Sequence, residues 1–303
     1  MIASKALVLA GTLVLAAACS AAPSTAPVPG AATAAAGIPV VAAESQYGDV
    51  AAQIGGPYTR VTSVIRDPNT DPHSYEISTT VAREVGRARL VVQNGAGYDG
   101  FMDRIEAATP SRSRRVVVAG AVTGRTARTA NPHLWYDPAT MSKVAASVAA
   151  ALGAIDPGHA RYFESNAARF EASLQPWTAA LHRLRVDHPG FPVAATEPVA
   201  DYLLQAAGAR ILTPYSFQAD IMNGLDPAPQ GISAQQDLLT HRKVKVLVYN
   251  EQVTDSLTSG LIGTARRAGV PVVGVYEIMP VGDSYQQWML STVAAIQKAV
   301  GTR

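Results

Sequence analysis

The sequence predicts an α/β protein of two lobes, each built on a mainly parallel sheet, joined by a long central helix. Three observations carry that expectation. Short β-branched runs alternate with amphipathic helical stretches along most of the chain. The runs are continuously apolar, as strands covered on both faces are. Halfway along, about thirty residues of helix pattern interrupt the alternation.

Residues 1–18 read as a secretory signal peptide. Lys5 supplies a minimal positive start, and residues 6–18 are wholly apolar or small, too short a run to span a bilayer. The only cysteine, Cys19, follows at once, so disulfides play no part in stability. "AAAC", residues 16–19, resembles a bacterial lipobox, in which the cysteine is lipidated and becomes the first residue; Ala16 stands where that pattern prefers Leu, Val or Ile. Residues 19–36 are Ala, Pro, Ser and Thr-rich and bury too little to fold, which suits a tether. The expectation is an exported protein held at the outer face of the cell membrane by a lipid on Cys19.

About 265 residues remain after the tether, enough for two domains. In the N-terminal lobe, residues 37–150, strands are expected at "IPVVAAE" (38–44), "RVTSVI" (60–65), "ARLVVQN" (88–94) and "RRVVVAG" (114–120). Helices are expected at "GDVAAQIGG" (48–56) and "STTVAREVGRA" (78–88). Residues 151–187 hold the linker helix, with Asp156 as N-cap, Pro157 at the first helical position and Pro176 as a kink. In the C-terminal lobe, residues 188–303, the strands are "FPVAATE" (191–197), "KVKVLVYN" (243–250) and "VPVVGVYE" (270–277), with helices at "VADYLLQAAGA" (199–209) and "LTSGLIGTARRAG" (257–269).

A formal charge of +2, with 16% charged residues, gives no polyanion-binding signature. The arginines of "SRSRRVVVAGAVTGRTART", residues 111–129, surround an apolar strand and read as a solvated rim, so no nucleic-acid partner is expected.

Loops at the carboxyl ends of parallel strands gather at a binding crevice. Four polar groups fall there. His73 in "TDPHSYEIS" and His133 in "NPHLWYDP" follow strands of the first half, whereas Glu197 and Glu277 end strands of the second. Singly, each has a plain explanation as a surface histidine or a strand-end acid. Together, two imidazoles and two carboxylates make a divalent-metal shell whose charge is near zero when filled.

On these motifs the chain resembles the metal-specific solute-binding proteins that deliver zinc or manganese to ATP-driven (ABC) importers, the cluster A-I group. The resemblance runs from about Ile38 to the end. "DPHSYEIS" is similar to that family's first metal-histidine motif and "NPHLWYDP" to its second, while "QNGAGYDGFMDRI" matches a strand-end segment of the group. "TEPVADYLLQAAG" falls where the third ligand sits, filled by His in many zinc members and Glu in many manganese members. "VYEIMPVGDSY" falls at the last motif, where Asp is common; the matching residue here is Glu277, with Asp283 or Glu251 as substitutes. The resemblance implies His73, His133, Glu197 and Glu277 as ligands, Zn²⁺ or Mn²⁺ as cargo in a cleft between the lobes, a membrane permease as partner, a monomer and modest closure. Tyr75, Trp135, Tyr136 and Tyr276 flank the ligands and read as supporting packing.

"GAGYDG", residues 95–100, formally fits a nucleotide-binding glycine pattern, but no strand ending in an acid follows at the required distance; a tight strand-to-helix turn is expected. His159, His182, His188 and His241 read as solvated. No H-E-x-x-H or G-x-S-x-G motif occurs. Two other functions compete with transport. A metallohydrolase would need an open coordination position and a general base, nominally Glu251 or Asp283. A metal-storage lipoprotein or surface adhesin would use the same fold.

Overall fold

The computed structural model describes Met1, residues 37–70 and residues 75–301. The signal, the lipobox, the tether and His73 lie outside the described residues.

The first lobe runs β1 (Ile38–Glu44), α1 (Ser45–Gly55), β2 (Thr59–Ile65), α2 (Thr79–Arg87), β3 (Leu90–Gln93), α3 (Gly100–Ala108), β4 (Arg115–Val118) and α4 (Ala119–Val122), then α5 (Thr140–Ile155). Its sheet has the order β2-β1-β3-β4 with every pair parallel. Ser78 starts α2 as a true N-cap, accepting a hydrogen bond from the Val81 amide at 3.2 Å.

A single turn at Pro157–His159 leads into α6 (Ala160–Ser173), and Leu174 separates it from α7 (Gln175–Asp187). Pro176 sits in the first turn of α7, where its missing N–H costs nothing; the expected kink is therefore a break between two helices. Asp156 departs from expectation. It precedes the turn as anticipated, but its carboxylate caps no backbone amide and instead meets His159 Nδ1 at 2.7 Å. That imidazole also stacks on Tyr58 at 3.8 Å between centroids, so His159 is half-buried packing and not a solvated group.

The second lobe runs β5 (Pro192–Ala195), α8 (Asp201–Ala206), β6 (Arg210–Ile211), α9 (Tyr215–Met222), α10 (Pro229–Thr240), β7 (Val246–Asn250), α11 (Ser256–Ala268), β8 (Val272–Val275) and α12 (Tyr285–Gly301). Its order, β6-β5-β7-β8, is again all parallel. β6 is a fourth strand that the sequence reading lacked, because two paired residues carry no periodicity. The two sheets share one topology and one register. Ala42 pairs with Val92 and Val92 with Val117 in the first; Ala195 pairs with Val248 and Val248 with Val273 in the second.

Each lobe has a small core of its own, around Val41, Val91 and Phe101 in the first and Phe217, Leu247 and Leu261 in the second, and the largest core is shared. One buried cluster takes Val40, Tyr47, Leu134 and Trp135 from the first and Val193, Val246, Trp288 and Met289 from the second. Helix α6 packs on α1 and α5, whereas α7 packs on α8 and α12, so the bent helix belongs to both. The start of α12 is pinned back to the first lobe, with the Tyr285 amide donating to Asp49 at 2.9 Å and its hydroxyl to the Trp135 carbonyl at 2.6 Å.

Of the arginines expected at the rim, Arg112, Arg115 and Arg128 are exposed. Arg114 is not part of that rim: it donates to the carbonyls of Val85 at 3.0 Å and Glu106 at 3.2 Å.

Candidate metal site

Parallel strands deliver their following loops to one edge, and here the two edges meet. His133, on the loop after β4, is fully buried. Its Nδ1 lies 2.7 Å from Asn131 Oδ1, which also accepts the His133 amide at 3.0 Å. Asn131 is itself oriented, because its Nδ2 donates to the Pro198 carbonyl at 2.7 Å. An amide oxygen facing Nδ1 makes that nitrogen the N–H donor, so Nε2 carries the lone pair. Nε2 points at Glu277, 3.5 Å from its Oε2. The tautomer that a metal ligand would need is thus set by a residue that anchors the second lobe.

Glu277, two residues beyond β8, is equally buried. Its Oε1 accepts from Asn250 Nδ2 at 2.6 Å and its Oε2 from the Tyr98 hydroxyl at 2.9 Å. Its backbone is held as well: the amide donates to Gln252 Oε1 at 2.5 Å and the carbonyl accepts from Gln46 Nε2 at 3.0 Å. Gln252 Nε2 in turn donates to the Thr70 carbonyl at 2.8 Å, on the segment leading to His73.

Glu197 is buried two residues beyond β5, directly before the Pro198 that Asn131 grips; its carbonyl accepts from Gln218 Nε2 at 3.2 Å. Beside it, burial lifts the Asp201 carboxyl to about 7 against the lowering effect of a Gln218 hydrogen bond. Of the substitutes for Glu277, Glu251 lies against Gly274 beside the Tyr249 hydroxyl, and Asp283 sits half-buried in the turn whose amide returns to Pro280.

The "GAGYDG" segment is the expected turn. Gly95, Ala96 and Gly97 all take positive φ, a left-handed run that favours glycine. Asp99 fills the turn, accepting from the amides of Asn94 at 2.6 Å and Gly95 at 2.7 Å. A carboxylate therefore occupies the donors that a phosphate would need. Burial raises Asp99 to about 7 even with those bonds.

Trp135 and Tyr136 support the site as expected. Trp135 packs edge-on to His133 at 5.4 Å, and the Tyr136 hydroxyl donates to the Tyr276 carbonyl at 2.9 Å. Tyr75 packs against Phe101, at 5.1 Å between centroids. Tyr98, Asn131, Asn250 and Gln252 were not singled out from the sequence as site residues, since nothing marks a neutral donor until its target is known. Glu44 was missed too, although it ends an apolar strand just as Glu277 follows one. It is fully buried, and burial, then the charges of Asp99 and Glu277, push its carboxyl well above the usual range.

Among the described residues no three His, Cys, Asp or Glu groups converge tightly enough to cage an ion. Nor is any described helix long and apolar enough to cross a membrane. What the site offers is a buried seam with an oriented imidazole and a carboxylate from opposite lobes.

Residues 40–299 match the model of the zinc-uptake complex component A periplasmic family. The chain belongs to that family. It is therefore an extracytoplasmic solute-binding protein of an ABC metal importer, one that binds a divalent metal and hands it on and is not an enzyme. The manganese-binding lipoprotein MntA of Bacillus subtilis is 24% identical over 243 residues, which is 76% of each chain. Two solved structures share the fold. A manganese-bound point mutant of a periplasmic metal-binding protein from Candidatus Liberibacter asiaticus has a TM-score of 0.71 at 17% identity, over 86% of this chain and 98% of that one. A crystal structure of ZnuA gives 0.70 at 19% identity, over 88% and 99%.

Proposed function

We propose that this family member captures zinc or manganese with His73, His133, Glu197 and Glu277 and delivers the ion to a membrane permease, while a lipid on Cys19 keeps it at the outer face of the membrane. The observation that carries the reading is the His133 arrangement. An imidazole locked by Asn131 presents Nε2 to a carboxylate of the other lobe inside a buried seam. A hydrolase would need an open position and a base, and Glu251 stands beside Tyr249 instead.

The donor set serves either ion. Two carboxylates favour the harder manganese, whereas zinc binds most mixed N/O sites more tightly at equal free concentration. The test is metal content by mass spectrometry on the soluble chain after Cys19, stripped and then equilibrated with matched buffered Zn²⁺ and Mn²⁺. One equivalent of ion is expected, lost in both His133→Ala and Glu197→Ala. Full occupancy in those variants would refute the ligand set, and the ion retained names the cargo.

A further inference from the structure

The shared register of the two sheets identifies equivalent positions without any appeal to sequence similarity. Ala42 and Ala195 occupy the same place, each paired to a valine of the next strand. Two residues on stand Glu44 in the first lobe and Glu197 in the second. The neighbouring strands agree: two residues beyond Val92 and Val248 stand Asn94 and Asn250. Ala42 and Ala195 both face the shared core, so the period of two puts Glu44 on that face of its sheet, and Glu197 stands at the matching step just past the end of β5.

Glu44 is as buried as any core residue, yet neither carboxylate oxygen has a hydrogen-bond partner among the described residues. Its two acidic neighbours are provided for, Asp99 by backbone amides and Glu277 by Asn250 and Tyr98. No lysine or arginine pairs with Glu44 among the described ion pairs. A carboxylate buried near Asp99 and Glu277, with no donor among the described residues, is one that a divalent cation would satisfy.

We propose that Glu44 is a further oxygen donor of the metal site, the first-lobe counterpart of Glu197, acting on the ion directly or through one bound water. This rests on the metal-capture reading above and adds a third carboxylate to it, which makes the compartment more negative than two imidazoles and two glutamates would be. A third carboxylate strengthens the site for hard manganese more than for zinc.

The experiment compares the unmutated chain with Glu44→Gln, Glu44→Asp and His133→Ala by chelator competition for Mn²⁺ and Zn²⁺, alongside melting of each metal-free protein. Glu44→Gln keeps shape and loses charge. The expected result is a loss of Mn²⁺ affinity of at least about tenfold, within the range for groups that support a metal shell. Zn²⁺ affinity falls less, the metal-free melting midpoint is unchanged or higher, and Glu44→Asp recovers part of the loss. Undiminished Mn²⁺ affinity in Glu44→Gln overturns the assignment, and so does a loss that parallels a lower metal-free midpoint in both Glu44 variants. If His133→Ala abolishes binding while Glu44→Gln does not, only this inference fails. If the unmutated chain binds neither ion, both readings fail.

Discussion

The two lobes are built on one plan and furnish it differently. In each, an asparagine at the end of the third strand in chain order fastens the loop after the fourth. Asn94 does so in the first lobe by donating to the Pro132 carbonyl at 2.9 Å, one residue from His133. Asn250 does so in the second by donating straight to the Glu277 carboxylate. The first lobe thus fixes backbone and lets the imidazole be oriented by Asn131; the second fixes the side chain itself. The same fold position can position a candidate ligand through its main chain or its carboxylate, and the two routes are expected to fail differently when broken.

Replacing Asn250 by alanine removes a bond to the carboxylate that faces His133. Metal affinity is expected to drop about 10- to 100-fold with little change in melting, measured by chelator competition. Asn94→Ala should do the reverse. It strands the Tyr47 hydroxyl, which donates to Asn94 Oδ1 at 2.5 Å, and leaves the Pro132 carbonyl only the Leu134 amide, and so costs about 1–3 kcal/mol in urea unfolding with a smaller effect on affinity. Equal behaviour of the two variants would show that the lobes do not divide the work this way.

In their response to pH the lobes agree. Each lobe buries an aspartic acid raised to about 7, Asp99 in the first and Asp201 in the second. A carboxyl whose pKa is higher folded than unfolded binds more protons in the folded state. The metal-free protein should therefore gain stability as pH falls from about 7 towards 4, and lose it on the way back up. Asp201→Asn is expected to flatten that slope in melting scans from about pH 7.5 to about 5.5, and an unchanged slope would remove Asp201 from the account. The smallest effect is expected at Arg125, which pairs with Asp137 at 3.0 Å, lies over the Tyr202 ring and bonds its hydroxyl across the lobes. Arg125→Ala should cost no more than about 1 kcal/mol by urea unfolding, as partly exposed pairs do.

The strands were legible because both sheets are covered on two faces, so "IPVVAAE" and "VPVVGVYE" announce themselves as apolar runs. The shared core was not legible: periodicity shows which face is apolar and is silent on what covers it, and Trp135 and Trp288 look the same in either arrangement. Of the site, His133 and Glu277 could be read from motif and strand end, and the structure brings them together. Asn131 could not, since its value lies in gripping Pro198, far along the chain. Glu44 could have been read by the logic that selected Glu277, but a strand end that runs straight into α1 looks like an N-cap. In the structure Glu44 makes no cap bond.

The bent helix and shared core have a kinetic consequence. Parting the lobes would expose the apolar seam that joins them, and uncovering even about 200 Å² costs about 5 kcal/mol. Thermal opening of that size slows escape by several thousandfold. An ion held in this seam as proposed is then retained by slow dissociation as much as by affinity, and unloading it at a useful rate requires an outside source of energy to peel back the seam.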